Sequence, residues 1–223
     1  VKIKAEFAAA ADGGRERCLA QIRDMILTGQ LLPGQKVHQG QLADHLNTSP
    51  IPVREALATL QAEGVVDHKT NTGYTVARFS SEDLSEIYLM RRLLETELLR
   101  SIDLASVDVG RMVDLNKQMN GIKGELSRET YQELNLQFHF VLFDRSELKL
   151  VRREVRRLWY MSGFYRSLYL YESGTAAHLS AEHGQIIDAV RAGDVKQLIR
   201  IANQHRSGTE RMVVQRLGSG RSD

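Results

Sequence analysis

The chain has 223 residues, 42% of them hydrophobic, with 30 Lys and Arg against 28 Asp and Glu. That length suits one large domain or two modest ones, and no apolar run approaches the ~18 residues of a membrane span. The single cysteine, Cys18, excludes an intramolecular disulfide framework and suits a reducing, cytoplasmic location, with a structural apolar role expected for it.

Ala8–Ala11 follows no long apolar segment, so no signal peptide is expected, and neither this run nor the tail Gly218–Asp223 needs a fixed structure. In residues 15–28, Leu19, Ile22, Met25 and Ile26 recur at helical spacing, and Gly29 and Pro33-Gly34 end that helix. A short helix over about Gln41–Leu46 buries Leu42, Ala43 and Leu46, and Asn47-Thr48 form a turn. Ser49 is placed to cap a third helix, about Pro50–Glu63, and Pro50 suits its first turn because no intrahelical partner awaits an N–H there.

This third helix turns Val53, Ala56, Leu57 and Leu60 inward and leaves Arg54 outside. Val65-Val66 and Tyr74–Ala77 then read as two strands around the loop His68–Gly73. Two helices, a tight turn and a ribbon make a winged helix-turn-helix over residues 15–77, a shape that places one helix in the major groove of DNA. Arg54 is the candidate for a phosphate or guanine contact. Lys69, Thr70, Asn71 and Gly73 form a wing tip that can meet the minor groove or backbone.

Charge offers little help. Residues 1–77 contain eight basic and eight acidic side chains, so DNA affinity has to come from local placement of positive groups, helix N-termini and dimerisation.

The motifs PGQKV, QLADHL, SPIPVREALATLQAEG and NTGYTV make about Arg15–Ala77 resemble the GntR family of bacterial transcription regulators. The resemblance implies base reading by Arg54 with the turn residue Ser49 nearby. It also implies a second reading arginine where this chain has Pro50, a departure that bears on specificity and affinity rather than on fold.

Residues 78–80 read as a hinge, and 81–217 as an all-helical domain. Ser80 or Ser81 can cap a helix reaching about Ser101, and further helices are expected near Val107–Gly121, Ser127–Asp144, Leu148–Tyr171, Ala176–Ala192 and Asp194–Leu217. The fold class is therefore mainly α: a winged helix-turn-helix followed by an antiparallel helical bundle. The basic cluster Lys149, Arg152, Arg153, Arg156 and Arg157 reads as a solvated helix face.

Asn135 and His139 are four apart on one helix face, while His183 and His205 flank the break at Gly193-Asp194 symmetrically. At 1.5 Å per residue each of the latter lies roughly 15 Å from that turn, so an antiparallel pair brings them level. Two donors on one helix and one on each of two paired helices can converge on a divalent cation.

YLMRRLLETELL, NLQFH, EHGQIIDAVRAGD and the late QH make Ser81–Gln215 resemble the FCD ligand-binding domain of FadR-type regulators, in its metal-dependent form. The resemblance implies metal ligation by Asn135, His139, His183 and His205, with Arg91 binding an effector carboxylate; a core salt bridge with Glu95 is the other reading of Arg91. Many members have Asp at position 135. With Asn135 the metal site carries a charge of about +2 rather than about +1, which lowers cation affinity and favours an organic anion.

The expected protein is a homodimeric regulator, a repressor by the commonest arrangement, binding double-stranded operator DNA. Its divalent ion would be zinc, nickel, manganese or iron, and its effector a small organic carboxylate. One alternative is a metal-dependent hydrolase with Glu182 or Glu133 as base, although neither follows a zinc-hydrolase spacing. Another is a regulator whose metal is structural and whose partner is a protein.

Overall fold

A computed structural model describes residues 2–122, 127–169 and 175–219, which form two compact units meeting at residues 79 and 80. The first unit holds α1 (Lys2–Leu27), β1 (Lys36–Val37), α2 (Gln39–His45), α3 (Pro50–Ala62), β2 (Val66–Lys69) and β3 (Gly73–Val76). Helix α1 packs on α3. Its Cys18, Leu19, Ile22 and Ile26 are buried, as are Val53, Ala56, Leu57 and Leu60 of α3. Burial of Cys18 agrees with an apolar structural role. The Arg23 guanidinium reaches Glu63 at 2.6 Å and ties the end of α3 to α1.

Helix α1 begins well before residue 15, because Ala5 and Ala8–Ala11 have the highest intrinsic helix propensity and nothing before Gly13-Gly14 interrupts them. The sheet has a third strand that two residues could not announce by periodicity. Strand β1 pairs antiparallel with β3, Lys36 opposite Thr75 and Val37 opposite Tyr74, giving the order β1-β3-β2. Leu46 is half-buried rather than core, since α2 ends at His45.

Ser49 has the extended backbone of an N-cap but makes no side-chain capping hydrogen bond. One contribution is local. A cap oxygen accepts from the second or third helical N–H, and the third residue here is Pro52, which has none, so only the Ile51 N–H is left to it. At the wing, Asn71 and Gly73 take positive φ of 66° and 85°, which closes the loop between Lys69 and Gly73.

The second unit holds α4 (Ser81–Arg100), a 3-10 turn at Leu104–Ser106, α5 (Val109–Gly121), α6 (Ser127–Phe143), α7 (Lys149–Tyr169), α8 (Thr175–Arg191) and α9 (Val195–Ser219). Ser80 caps α4 in a capping box with Asp83, Asp83 N–H donating to Ser80 Oγ at 3.1 Å and Ser80 N–H to Asp83 Oδ2 at 2.8 Å. The 3-10 turn moves the start of α5 two residues later than the apolar pattern suggests. The expected extension of α7 to Tyr171 and the tail beyond residue 219 lie outside the described residues.

Helix α4 packs on α7 and α9, α5 on α6 and α8, and α8 on α9. Phe138, Leu142, Val155, Trp159, Ile186 and Leu198 belong to the common core. Between α8 and α9, Gly193 has φ of +66° and Asp194 Oδ1 accepts from Gln197 N–H at 2.9 Å, so one glycine ends a helix and the next residue caps another. A Cβ at Gly193 would meet nothing within 4 Å. Gly193→Ala therefore carries a backbone cost without a clash: a loss of about 1–2 kcal/mol is expected, read as a fall of a few degrees in Tm. A drop several times larger would contradict this account.

Candidate functional site

On the first unit, Arg54 is exposed on α3, with no ion pair or hydrogen bond among the described residues, and Ser49 and Pro50 are exposed at the helix start. Lys69, Thr70 and Asn71 are exposed at the wing, with Gly73 half-buried behind them. Ile51, in the first turn of α3, is 59% exposed, a feature that hydrophobic patterning had not singled out.

In the second unit three helices bring three imidazoles together. His139 from α6, His183 from α8 and His205 from α9 each offer a nitrogen, and these atoms all lie within 4.8 Å of one another. Ring centroids are 5.3 Å apart for His139–His183, 5.3 Å for His139–His205 and 4.9 Å for His183–His205. All three residues are buried, and both nitrogens of His183 and Nε2 of His139 lack a hydrogen-bond partner. Such orphaned buried atoms cost free energy unless something binds them.

Burial first, and then the neighbouring His205 and His183, holds the His139 pKa well below its ordinary value; burial and then His205 do the same to His183. Neutral rings present lone pairs, which is what a metal ion needs. His205 Nδ1 lies 2.7 Å from Glu182 Oε2. With Nδ1 donating to that carboxylate, Nε2 is left as the acceptor, the arrangement by which an outer carboxylate orients a ligating imidazole. Although burial raises the Glu182 pKa, the His205 hydrogen bond and charge bring it below its ordinary value.

His139 and His205 border a partly open cavity, which Asn135, Arg91, Arg166, Arg206 and Trp159 also line. Asn135 is buried one helical turn from His139. Arg91 is 4% exposed and makes the core salt bridge with Glu95: its Nε donates to Glu95 Oε1 at 2.8 Å, and its Nη1 to Ser162 Oγ at 3.3 Å. Arg166 donates from Nη1 to that same hydroxyl at 3.3 Å and from Nε to Gln132 Oε1 at 3.3 Å.

Two guanidiniums thus share one serine. Burial, followed by the charge of Arg91, lowers the Arg166 pKa to about 10. It remains protonated at neutral pH, and the hydroxyl of Tyr88, on the same wall, opposes the shift from beside the guanidinium. Both arginines lie against the Trp159 ring, at 4.2 Å and 4.5 Å from its centroid.

Arg166, Arg206 and Trp159 were not identified from the sequence. One signal for Arg166 was present: it is the lone charge in LWYMSGFYR, an apolar and aromatic stretch that has to be buried. The basic cluster earlier in α7 behaves as expected of a surface face, with Arg152 and Arg156 paired to Asp144 and Arg157 to Glu154. His178 is exposed beside Glu182, and Glu133 is exposed, accepting from Gln137. Neither candidate base is a free carboxylate aimed at the imidazoles.

Comparison with known proteins fits this geometry. Residues 15–76 match the family described as bacterial regulatory proteins, gntR family, and residues 86–208 match the FCD domain. The chain belongs to the GntR family, in its FadR-type branch. It is similar to the HTH-type transcriptional regulator LutR of Bacillus subtilis, 32% identical over 205 residues, covering 78% of this chain and 89% of LutR. It is also similar to YdhC of the same organism, an uncharacterized HTH-type transcriptional regulator, at 26% identity over 83% of this chain and 82% of YdhC.

Among solved structures, Escherichia coli McbR/YncC superposes with a TM-score of 0.73 at 20% identity, covering 91% of this chain and 98% of that one, which shows a shared fold. As a GntR-family member the chain is a DNA-binding transcription regulator and not an enzyme. No helix among the described residues is long and apolar enough to cross a membrane.

Proposed function

We propose that this GntR-family regulator is a cytoplasmic, homodimeric repressor whose operator affinity is set by a small organic carboxylate bound beside a divalent metal ion. The carrying observation is a cluster of three buried imidazoles, two of which, His139 and His205, line the same cavity as the buried guanidiniums of Arg91 and Arg166. His139, His183 and His205 would hold the ion, with the Asn135 amide oxygen as a fourth donor. The unpaired nitrogens of His183 and His139 fit such a group. Zinc, nickel, manganese and iron all suit this nitrogen and oxygen set. When bound, the ion supplies a cationic anchor for one end of the effector.

This chain's own side chains do the rest. Arg91 and Arg166 present their remaining N–H groups to a carboxylate in a site where burial strengthens each charge. Trp159 and Ser162 hold the two guanidiniums in place. The effector sits against α4, which begins one residue after the boundary between the units. DNA affinity changes if the effector binds the DNA-competent and incompetent conformations unequally. On the DNA side, Arg54, Ser49 and the wing residues Lys69, Thr70, Asn71 and Gly73 would supply contacts, with residues 78–80 as the hinge.

The test is a thermal-shift screen of organic acids on metal-loaded protein, followed by operator binding with each hit. An acid that raises Tm is expected to change operator affinity about tenfold. Intact DNA binding that no stabilising acid alters would sink the effector reading while leaving the family assignment in place.

A further inference from the structure

Both prolines of Pro50-Ile51-Pro52 are confined by the helix start, but their neighbours differ. Pro52 is half-buried toward α1, where a Cβ built on Gly14 would lie 3.8 Å from the Pro52 Cβ. Pro50 and Ile51 are exposed. At 3.6 residues per turn, Ile51 points roughly 170° from the mean direction of the buried row Val53, Ala56, Leu57 and Leu60. It is the most outward side chain of the helix's first turn. Arg54 and Glu55 flank it one turn on, and both are exposed.

The polar equipment of this helix tip is reduced. Pro50 and Pro52 remove two of the N–H groups that a helix start ordinarily offers to phosphate. A branched hydrocarbon occupies the summit instead. In a helix-turn-helix regulator that summit enters the major groove, where the apolar feature of a base edge is the C5-methyl group of thymine.

We propose that Ile51 is a specificity-determining residue that reads a thymine through its C5-methyl group. Three residues of helix rise about 4.5 Å, so this thymine lies within about two base pairs of the contact made by Arg54. The proposal rests on the DNA-binding role of the family, not on the metal or the effector. It also turns Pro50 from a missing reader into part of an apolar tip.

The test begins with selection of preferred sites from randomised duplex DNA by the full chain. Each thymine of the selected site is then replaced singly by deoxyuridine, which removes the methyl group and nothing else. One position in the segment read by α3 is expected to lose about fourfold in affinity, the value of one buried apolar carbon. In Ile51→Ala that ratio should fall to about one, while both DNAs are still bound.

Selective binding with uniform tolerance of deoxyuridine, or a ratio that persists in Ile51→Ala, overturns the proposal and leaves DNA recognition by Arg54 standing. A selected site without thymine does the same. Failure to enrich any sequence would overturn the DNA-binding reading as well. Arg54→Ala, expected to weaken binding to thymine and deoxyuridine sites alike, separates the two contacts.

Discussion

Replacing His183 with alanine is expected to abolish stabilisation of the helical domain by divalent metal. The ring is fully buried, stacked on Phe138 at 4.3 Å between centroids, and neither nitrogen has a hydrogen-bond partner. Leaving a buried polar atom unsatisfied costs about 1–3 kcal/mol, so the metal-free protein carries a penalty that a bound ion relieves. The alanine removes the penalty and the ligand together and adds a cavity.

Stability without metal should therefore change by much less than stability with it. At a hundredfold excess over Kd, a ligand adds about 3 kcal/mol, on the order of 5–10 °C in Tm for a domain of this size. The original chain should show that gain after chelation and reloading, with about one ion per chain by elemental analysis. The variant should show neither. Full stoichiometry with an unchanged Tm increment in His183→Ala would mean that the three imidazoles are not a metal site.

Much of this arrangement is legible in the sequence. The level placement of His183 and His205 follows from helix rise and their equal distance from residue 194, because Gly193 can only be a break at that spacing. The turn before α3 was legible because its residues serve no other purpose well; Asn47 has φ of 49°.

Other features were hidden for physical reasons. Strand β1 is two residues long and exists through pairing with β3, a partner about forty positions away. Ser49 is placed to cap α3 by residue type, yet a proline two places beyond Pro50 removes one of the two N–H groups that such a cap uses. Arg166 and Arg206 were concealed because arginine in a helix usually marks the surface. Arg206 is held by Glu95 and Arg166 by Gln132 and Ser162, and no local pattern announces a partner more than a hundred residues distant, as Glu95 is from Arg206.

That carboxylate is where the largest loss of stability is expected. Glu95 Oε1 accepts from Arg91 Nε and from Trp159 Nε1, both at 2.8 Å, while Oε2 accepts from Arg206 Nε at 2.8 Å and lies 2.7 Å from Arg206 Nη2 in an ion pair. It is the one carboxylate among the described residues that line the cavity. Glu95→Gln preserves shape but leaves Arg91, Arg166 and Arg206 buried without it. Removing one partner of a buried ion pair costs about 3–5 kcal/mol, which urea unfolding would read as a lower midpoint at unchanged m.

The pH dependence then separates charge from shape. Burial raises the Glu95 pKa, but Arg206 and then Arg91 overcome it and bring the value from an ordinary 4.5 down to about 2. A lowered folded-state pKa contributes stability that is complete above 4.5 and is lost as pH falls toward 2. The span corresponds to about 3 kcal/mol, of which roughly 2 disappears by pH 3.

The glutamine variant has no such proton to take up, so the stability gap between the two proteins should narrow by about that amount between pH 6 and pH 3. Acidic groups elsewhere titrate in both proteins and cancel in the comparison. A gap that stays constant over this range would show that the hub acts through packing and hydrogen-bond geometry. The two buried guanidiniums beside Ser162 would then already be balanced by other groups, which removes the electrostatic reason for the cavity to attract an organic anion.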